Sequence, residues 1–162
     1  MYNTSEQHKI IAEALQQMWA RGLGVEVELE NQEWKTYLDN RNQGNFDMTR
    51  AAWIGDIPDP INFLDLFITG GGNNNQNYSN PQFDALIRQS KQEPDSARRF
   101  DLLGEAEALA MSEFPIAPIY YYAMPYLENP RVKGIVRNGL GWLDLTFAWV
   151  EGSNAAAAPG NP

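Results

Sequence analysis

Around Gly22 and Gly24 the hydrophobic pattern changes period, and this change narrows the choice of fold more than any other feature. Before it, Ile10, Ile11, Ala14, Leu15, Met18 and Trp19 recur at helical spacing, with Thr4 and Gln7 placed as a capping box. After it, Val25, Val27 and Leu29 alternate with Glu26, Glu28 and Glu30, the pattern of a strand with one buried and one wet face. A helix passing directly into a strand excludes the all-helical and all-β classes. It predicts an α/β or α+β layer structure.

The pattern continues along the chain. A short helix is expected over residues 33–41, burying Trp34, Tyr37 and Leu38 and broken by Gly44. A second strand follows over residues 46–54 and runs into GDIPDP, where Pro58 and Pro60 forbid both a helix interior and a central strand. Residues 62–68 suit one or two helical turns, and GGGNNNQNYSNP reads as a loop. Asn80-Pro81 then supplies an N-cap and an N1 proline for a helix carrying Phe83, Leu86 and Ile87. Pro94-Asp95 opens the longest helix, to about residue 113, with Phe100, Leu103, Ala106, Leu109 and Ala110 apolar. Residues 116–122 are β-prone. Residues 128–150 are short, Gly-broken, strand-like pieces with Trp142, Phe147 and Trp149 and no evident partner within the chain. The tail GSNAAAAPGNP reads as a low-complexity, disordered or linking segment.

Composition removes several functions. The 162 residues carry 12 Lys plus Arg against 21 Asp plus Glu, a net charge of -9, which suits neither a nucleic-acid backbone nor an anionic membrane surface. There is no cysteine, so thiol catalysis, disulfides and thiolate metal sites are excluded, and one histidine cannot build a multi-histidine metal site. No apolar run approaches the ~18 residues of a membrane span. The opening MYNTSEQHK lacks the pattern of an export signal. No cofactor and no metal are expected.

Four carboxylates gather between residues 47 and 65. Asp47 and Asp65 read as solvated or capping groups, and Asp59 as part of a proline turn. Asp56 differs, because it follows Gly55 at the end of an apolar strand beside Trp53 and Ile54; such a carboxylate needs a cation, internal or on a ligand. Trp34 is most simply core, whereas Trp53 favours a cleft. Of Tyr120, Tyr121 and Tyr122, at least one faces out of the core, with Tyr121 the candidate for a ligand; the plain alternative is two core rings and one on the surface. Arg50 lies in the same strand as Trp53. Arg41 ends a helix, where it complements the dipole or serves a ligand. His8 reads as a surface or structural histidine.

The block ENQEWKTYLDNRNQGNFDMTRAAWIGDIPDPINFL resembles the periplasmic oligopeptide-binding proteins, as do YNTSEQHK and PIAPIYYYAMPYLENPRVKG in the same order. These are solute-binding components of peptide ABC transporters, in bacterial extracellular solute-binding protein family 5. The resemblance implies a C-terminal fragment of a type II periplasmic-binding-protein-like, two-lobed α/β fold. On it, residues 1–127 are part of the second lobe, 128–151 are strands crossing back to the first lobe, and 152–162 are the low-complexity tail. It implies that Asp56 pairs with a peptide α-ammonium and that Ala52, Trp53 and Ile54 line up with the extended peptide by β-augmentation. Trp34 and Trp53 would be pocket walls, and Arg41, Arg50 and His8 basic groups near the peptide's C-terminal end or in its pockets. Asn42 departs from the bulkier or charged residues common after Arg41 in relatives, which would alter pocket preference. The implied partners are short peptides, a membrane permease and the missing first lobe; the implied location is the periplasm or the outer face of the cell envelope, and the implied protein is not an enzyme. Two rivals remain. A dipeptide, murein peptide or other solute would keep the family and change the ligand, and a stand-alone interaction module would use the aromatic face as a docking patch. A hydrolase built on Asp56 with Asp59 or Asp65 has no nucleophile–base set to support it.

Overall fold

A computed structural model describes residues 1–152. The expected disorder of the tail falls on residues 153–162, outside the described residues. The elements are β1 (Tyr2–Asn3), α1 (Glu6–Leu23), β2 (Asn31–Gln32), α2 (Trp34–Gln43), α3 (Ile61–Leu64), a 3-10 turn (Asp65–Phe67), α4 (Pro81–Gln92), α5 (Ser96–Ser112), and four short strands, β3 (Val132–Lys133), β4 (Val136–Arg137), β5 (Leu143–Asp144) and β6 (Trp149–Val150).

The helix α1 forms where its periodicity predicts, but none of its residues is buried, with Ile10 and Met18 of the apolar face exposed, and its cap is not the predicted one. Ser5 is the N-cap residue, and no side chain caps the helix. Thr4 instead donates its hydroxyl toward Asn31 Oδ1 and the Gln32 carbonyl, both at 3.0 Å, because it belongs to the strand junction. Gly24 closes α1 at φ 68°, a left-handed position that glycine adopts without a Cβ clash.

β1 and β2 pair in parallel, Tyr2 opposite Asn31 and Asn3 opposite Gln32. On the other side of the same segment, Met1 N donates to the Met48 carbonyl at 2.8 Å and Arg50 N donates to the Met1 carbonyl at 3.0 Å. The first residues therefore lie between segments 30–32 and 48–50. None of the expected strands over 25–29, 46–54 and 116–122 forms; β2 lies just beyond the first, and the second contributes only the two main-chain bonds to Met1. A strand exists only as a ladder with a neighbour, and no other described segment pairs with these stretches. Residues 25–29 are tied to α1 chiefly through Gln16, whose amide donates to the Val27 carbonyl at 2.6 Å.

The core lies between α3, the 3-10 turn, α4 and α5. Leu64, Phe67, Phe83, Ile87, Leu103, Ala106 and Ala110 form one buried cluster. Asn80 caps α4 by accepting from Gln82 N (2.9 Å) and Phe83 N (3.2 Å), with Pro81 at the first position, as its sequence predicts. Asp95 caps α5 through Arg98 N at 2.7 Å. Phe100, expected on the apolar face, is exposed; the expected Leu103 is buried, joined by Leu102. The Asn-rich loop is held by the buried Asn74, whose amide donates to the carbonyls of Ile68 (2.9 Å) and Tyr78 (2.7 Å). Tyr78 packs edge-on to Phe67 and Phe83, and burial, reinforced by the nearby Glu113 carboxylate, raises its hydroxyl to about 12.

The pieces between 128 and 150 do find partners among themselves. β3 pairs with β6 and β4 with β5, both antiparallel. Glycine breaks hid these pairings: Gly141, at φ 80°, turns the chain between β4 and β5, and Asn138 Oδ1 secures that turn by accepting from Leu140 N and Trp142 N, both at 3.0 Å. Among the described residues, no helix is long and apolar enough to cross a membrane.

Candidate functional site

Segment 50–56 begins well fixed and ends open. The Tyr37 hydroxyl, carried on α2, donates to the Arg50 carbonyl. Beyond Arg50, residues 51–54 are exposed and make no backbone hydrogen bond to any described residue. Their N–H and C=O groups form an unpaired edge, which is a template for another extended chain.

The turn closing that edge is well supported. Gly55 is buried, and a Cβ there would sit 3.2–3.3 Å from the Phe63 ring. Asn62 Oδ1 accepts both the Trp53 indole N–H and the Asp56 backbone N–H, each at 3.0 Å. Asp59 is fixed by a two-pronged ion pair with Arg99 on α5, at 2.8 and 2.9 Å, and by Ile61 N at 2.9 Å. The Arg99 hydrogen bonds hold the Asp59 carboxyl below the usual carboxylate range. Asp65 pairs with Lys91 at 2.9 Å. Asp56 is exposed, and its carboxylate has no cationic partner among the described residues.

At the other end of the edge is a basic group. Arg50 donates to the Tyr122 hydroxyl and, at 3.5 Å, to Asn3 Oδ1. His8 Nε2 lies 3.4 Å from the same Tyr122 oxygen, and His8 Nδ1 lies 3.3 Å from the Asn3 carbonyl. Trp34 is not core: it is 53% exposed and stacks on Tyr37 at 5.6 Å. It is linked to Arg50 only through that tyrosine. Arg41 is half-buried near the end of α2, and its Nε is shielded without a partner among the described residues. Tyr121 is fully exposed.

The structure thus brings His8 and Arg50 together, and Trp53 with Asp56, while Arg41 and Tyr121 touch neither pair. Sequence reasoning missed Tyr122, Tyr37, Asn3, Asn62 and Arg99. Strand alternation carried a usable signal for Tyr122, because Tyr120 and Tyr122 share a face, with ring centroids 4.9 Å apart. No group of three His, Cys, Asp or Glu residues able to hold a metal is present among the described residues.

Residues 1–75, which include β1, α2 and the whole of the Asp56 turn, match the model of the bacterial extracellular solute-binding proteins, family 5 middle region. This stretch of the chain belongs to that family. The oligopeptide-binding protein OppA of Bacillus subtilis is 43% identical over 141 residues, 86% of this chain and 26% of that protein. The structure of the Escherichia coli murein tripeptide binding protein MppA is 45% identical, with a TM-score of 0.76, over 82% of this chain and 26% of that one. Haemophilus influenzae OppA in complex with the peptide RPPGFSPFR gives 39% identity and a TM-score of 0.75, again over 82% and 26%. The chain therefore spans about a quarter of the length of the relatives it matches. Over that part it shares the fold of type II periplasmic binding proteins. These relatives are solute-binding proteins rather than enzymes.

Proposed function

We propose that this chain forms one wall of a peptide-binding cleft in the solute-binding component of a peptide ABC transporter. The observation that carries the reading is the open edge 51–54 ending at the unpaired Asp56 carboxylate. An extended peptide adds to the edge through main-chain bonds, and its α-ammonium supplies the cation that Asp56 lacks. Main-chain pairing carries affinity without reading side chains, so many sequences are accepted. Trp53 and Trp34 offer apolar pocket walls, and Arg50, His8 and Arg41 offer positive charge for the far end of the peptide. That one relative binds RPPGFSPFR and others are named for oligopeptides and dipeptides supports a peptide ligand.

On this reading residues 1–127 are part of one lobe and residues 128–151 lead to a second. The second lobe covers the other side of the peptide, the protein works in the periplasm or at the outer face of the cell envelope, and it delivers peptide to a membrane permease. No reaction is performed on the ligand.

The test titrates the chain with a tetrapeptide carrying a free N-terminus and with its N-acetylated form, following the tryptophan indole signals. Loss of one charge-assisted pair is expected to weaken the acetylated peptide by about tenfold or more. Equal binding of the two forms would remove Asp56 from the proposed role. A preference for dipeptides or murein peptides in the same titration would narrow the ligand and leave that role intact.

A further inference from the structure

The Trp53–Asp56 turn contains two groups that a peptide would meet, yet neither holds its own position. We propose that Asn62 is the positioning residue of this turn: one side-chain oxygen fixes the Trp53 ring and the Asp56 backbone together, and so aims the Asp56 carboxylate. The inference rests on the peptide-binding reading only for what Asp56 is aimed at.

Both bonds converge on Asn62 Oδ1 at 3.0 Å. Both partners are N–H donors, so only the oxygen of the amide can serve them, and the orientation of the Asn62 side chain follows from its surroundings. Asn62 is in turn well held. Its backbone N–H donates to the Asp59 carbonyl at 3.1 Å. The Asp59 carboxylate takes two bonds from Arg99 and one from Ile61 N. Immediately after Asn62, Phe63 packs against Gly55 and Leu64 is buried in the core. A four-residue helix cannot support itself in water; α3 stands because α5 and the core hold it. Asn62 thereby transfers the rigidity of the helical core to an otherwise open edge. Its replacement would leave the Asp56 N–H and the Trp53 indole to water, with only the Gly55–Phe63 packing to shape the turn.

Hydrogen exchange on the 15N-labelled 162-residue chain tests this without any ligand. In the wild type, the Trp53 indole N–H should exchange at least about tenfold more slowly than that of Trp34, which is exposed and has no acceptor among the described residues. Asn62→Ala should speed exchange at the Trp53 indole and the Asp56 amide by about tenfold or more, with the amides of α4 and α5 unchanged. Asn62→Asp should restore slow exchange, because a carboxylate oxygen accepts both bonds. Equal exchange of Trp53 and Trp34 in the wild type would overturn the inference, as would unchanged exchange in Asn62→Ala or failure of Asn62→Asp to rescue. A wild type that ignores N-acetylation of the peptide would instead defeat the ligand reading and leave Asn62 in place. A wild type that prefers the free amine, beside an Asn62→Ala variant with accelerated exchange and the same preference, would show that the turn is held but aims nothing.

Discussion

The unit from α3 to α5 and the edge from residue 51 to 56 are neighbours, joined through Phe63, Asn62 and Asp59, but they treat their polar groups in opposite ways. In the helical unit each long helix has a side-chain cap, Asn80 for α4 and Asp95 for α5. The loop between the 3-10 turn and α4 is stapled by the buried Asn74. Along the edge, backbone groups and a carboxylate stay open. An unmet carboxylate in a buried setting would be costly, but at an exposed site it costs little and remains available. The contrast teaches that the core provides stiffness while the edge provides unmet bonding capacity, and the Asn62 contact is where one serves the other.

Three substitutions sharpen or break that contrast, in order of expected effect. Phe83→Ala, at a residue with no exposed surface, should lower stability by about 3–5 kcal/mol in denaturant unfolding. A loss below about 1 kcal/mol would mean the helical unit is not the stable part of the molecule. Arg99→Ala should cost about 1 kcal/mol at neutral pH, as suits a partly exposed, two-pronged pair. The pH dependence has a definite sign. Because Arg99 lowers the folded Asp59 value, its contribution is full above the ordinary carboxylate value of about 4 and fades as pH falls through the lowered one. Wild type and Arg99→Ala should therefore converge in acid, and a difference that persists there would assign the effect to packing. Asp56→Asn should change stability by no more than about 0.5 kcal/mol, since the carboxylate has no internal cation. A large loss would mean that Asp56 is structural.

What could be read from the sequence follows the range of the forces involved. Helical periodicity, the Asn80-Pro81 and Asp95 starts and the Gly24 stop are local, and these elements appear where expected. Strands depend on distant partners, so the expected strands at 25–29, 46–54 and 116–122 do not form, and the first residues pair instead with Asn31–Gln32 and bond to Met48 and Arg50. The pairings within 128–150 were hidden for the converse reason, since glycine turns bring together pieces too short to show a period. The odd placement of Asp56 was visible from Gly55 and its apolar neighbours. Its support was not, because Asn62 and Arg99 act through side-chain geometry that leaves no periodic trace. Trp34 was misjudged as core for a related reason: helical spacing does not show which side of α2 is covered, and here Tyr37 is buried while Trp34 is left exposed.

The Tyr122 hydroxyl stands between Arg50 and the only histidine in the chain. On the proposed reading, an anion that drew Arg50 away would disturb that oxygen and, with it, the one imidazole the molecule possesses. The His8 ring resonances would then report occupancy at the basic end of the edge with no added label.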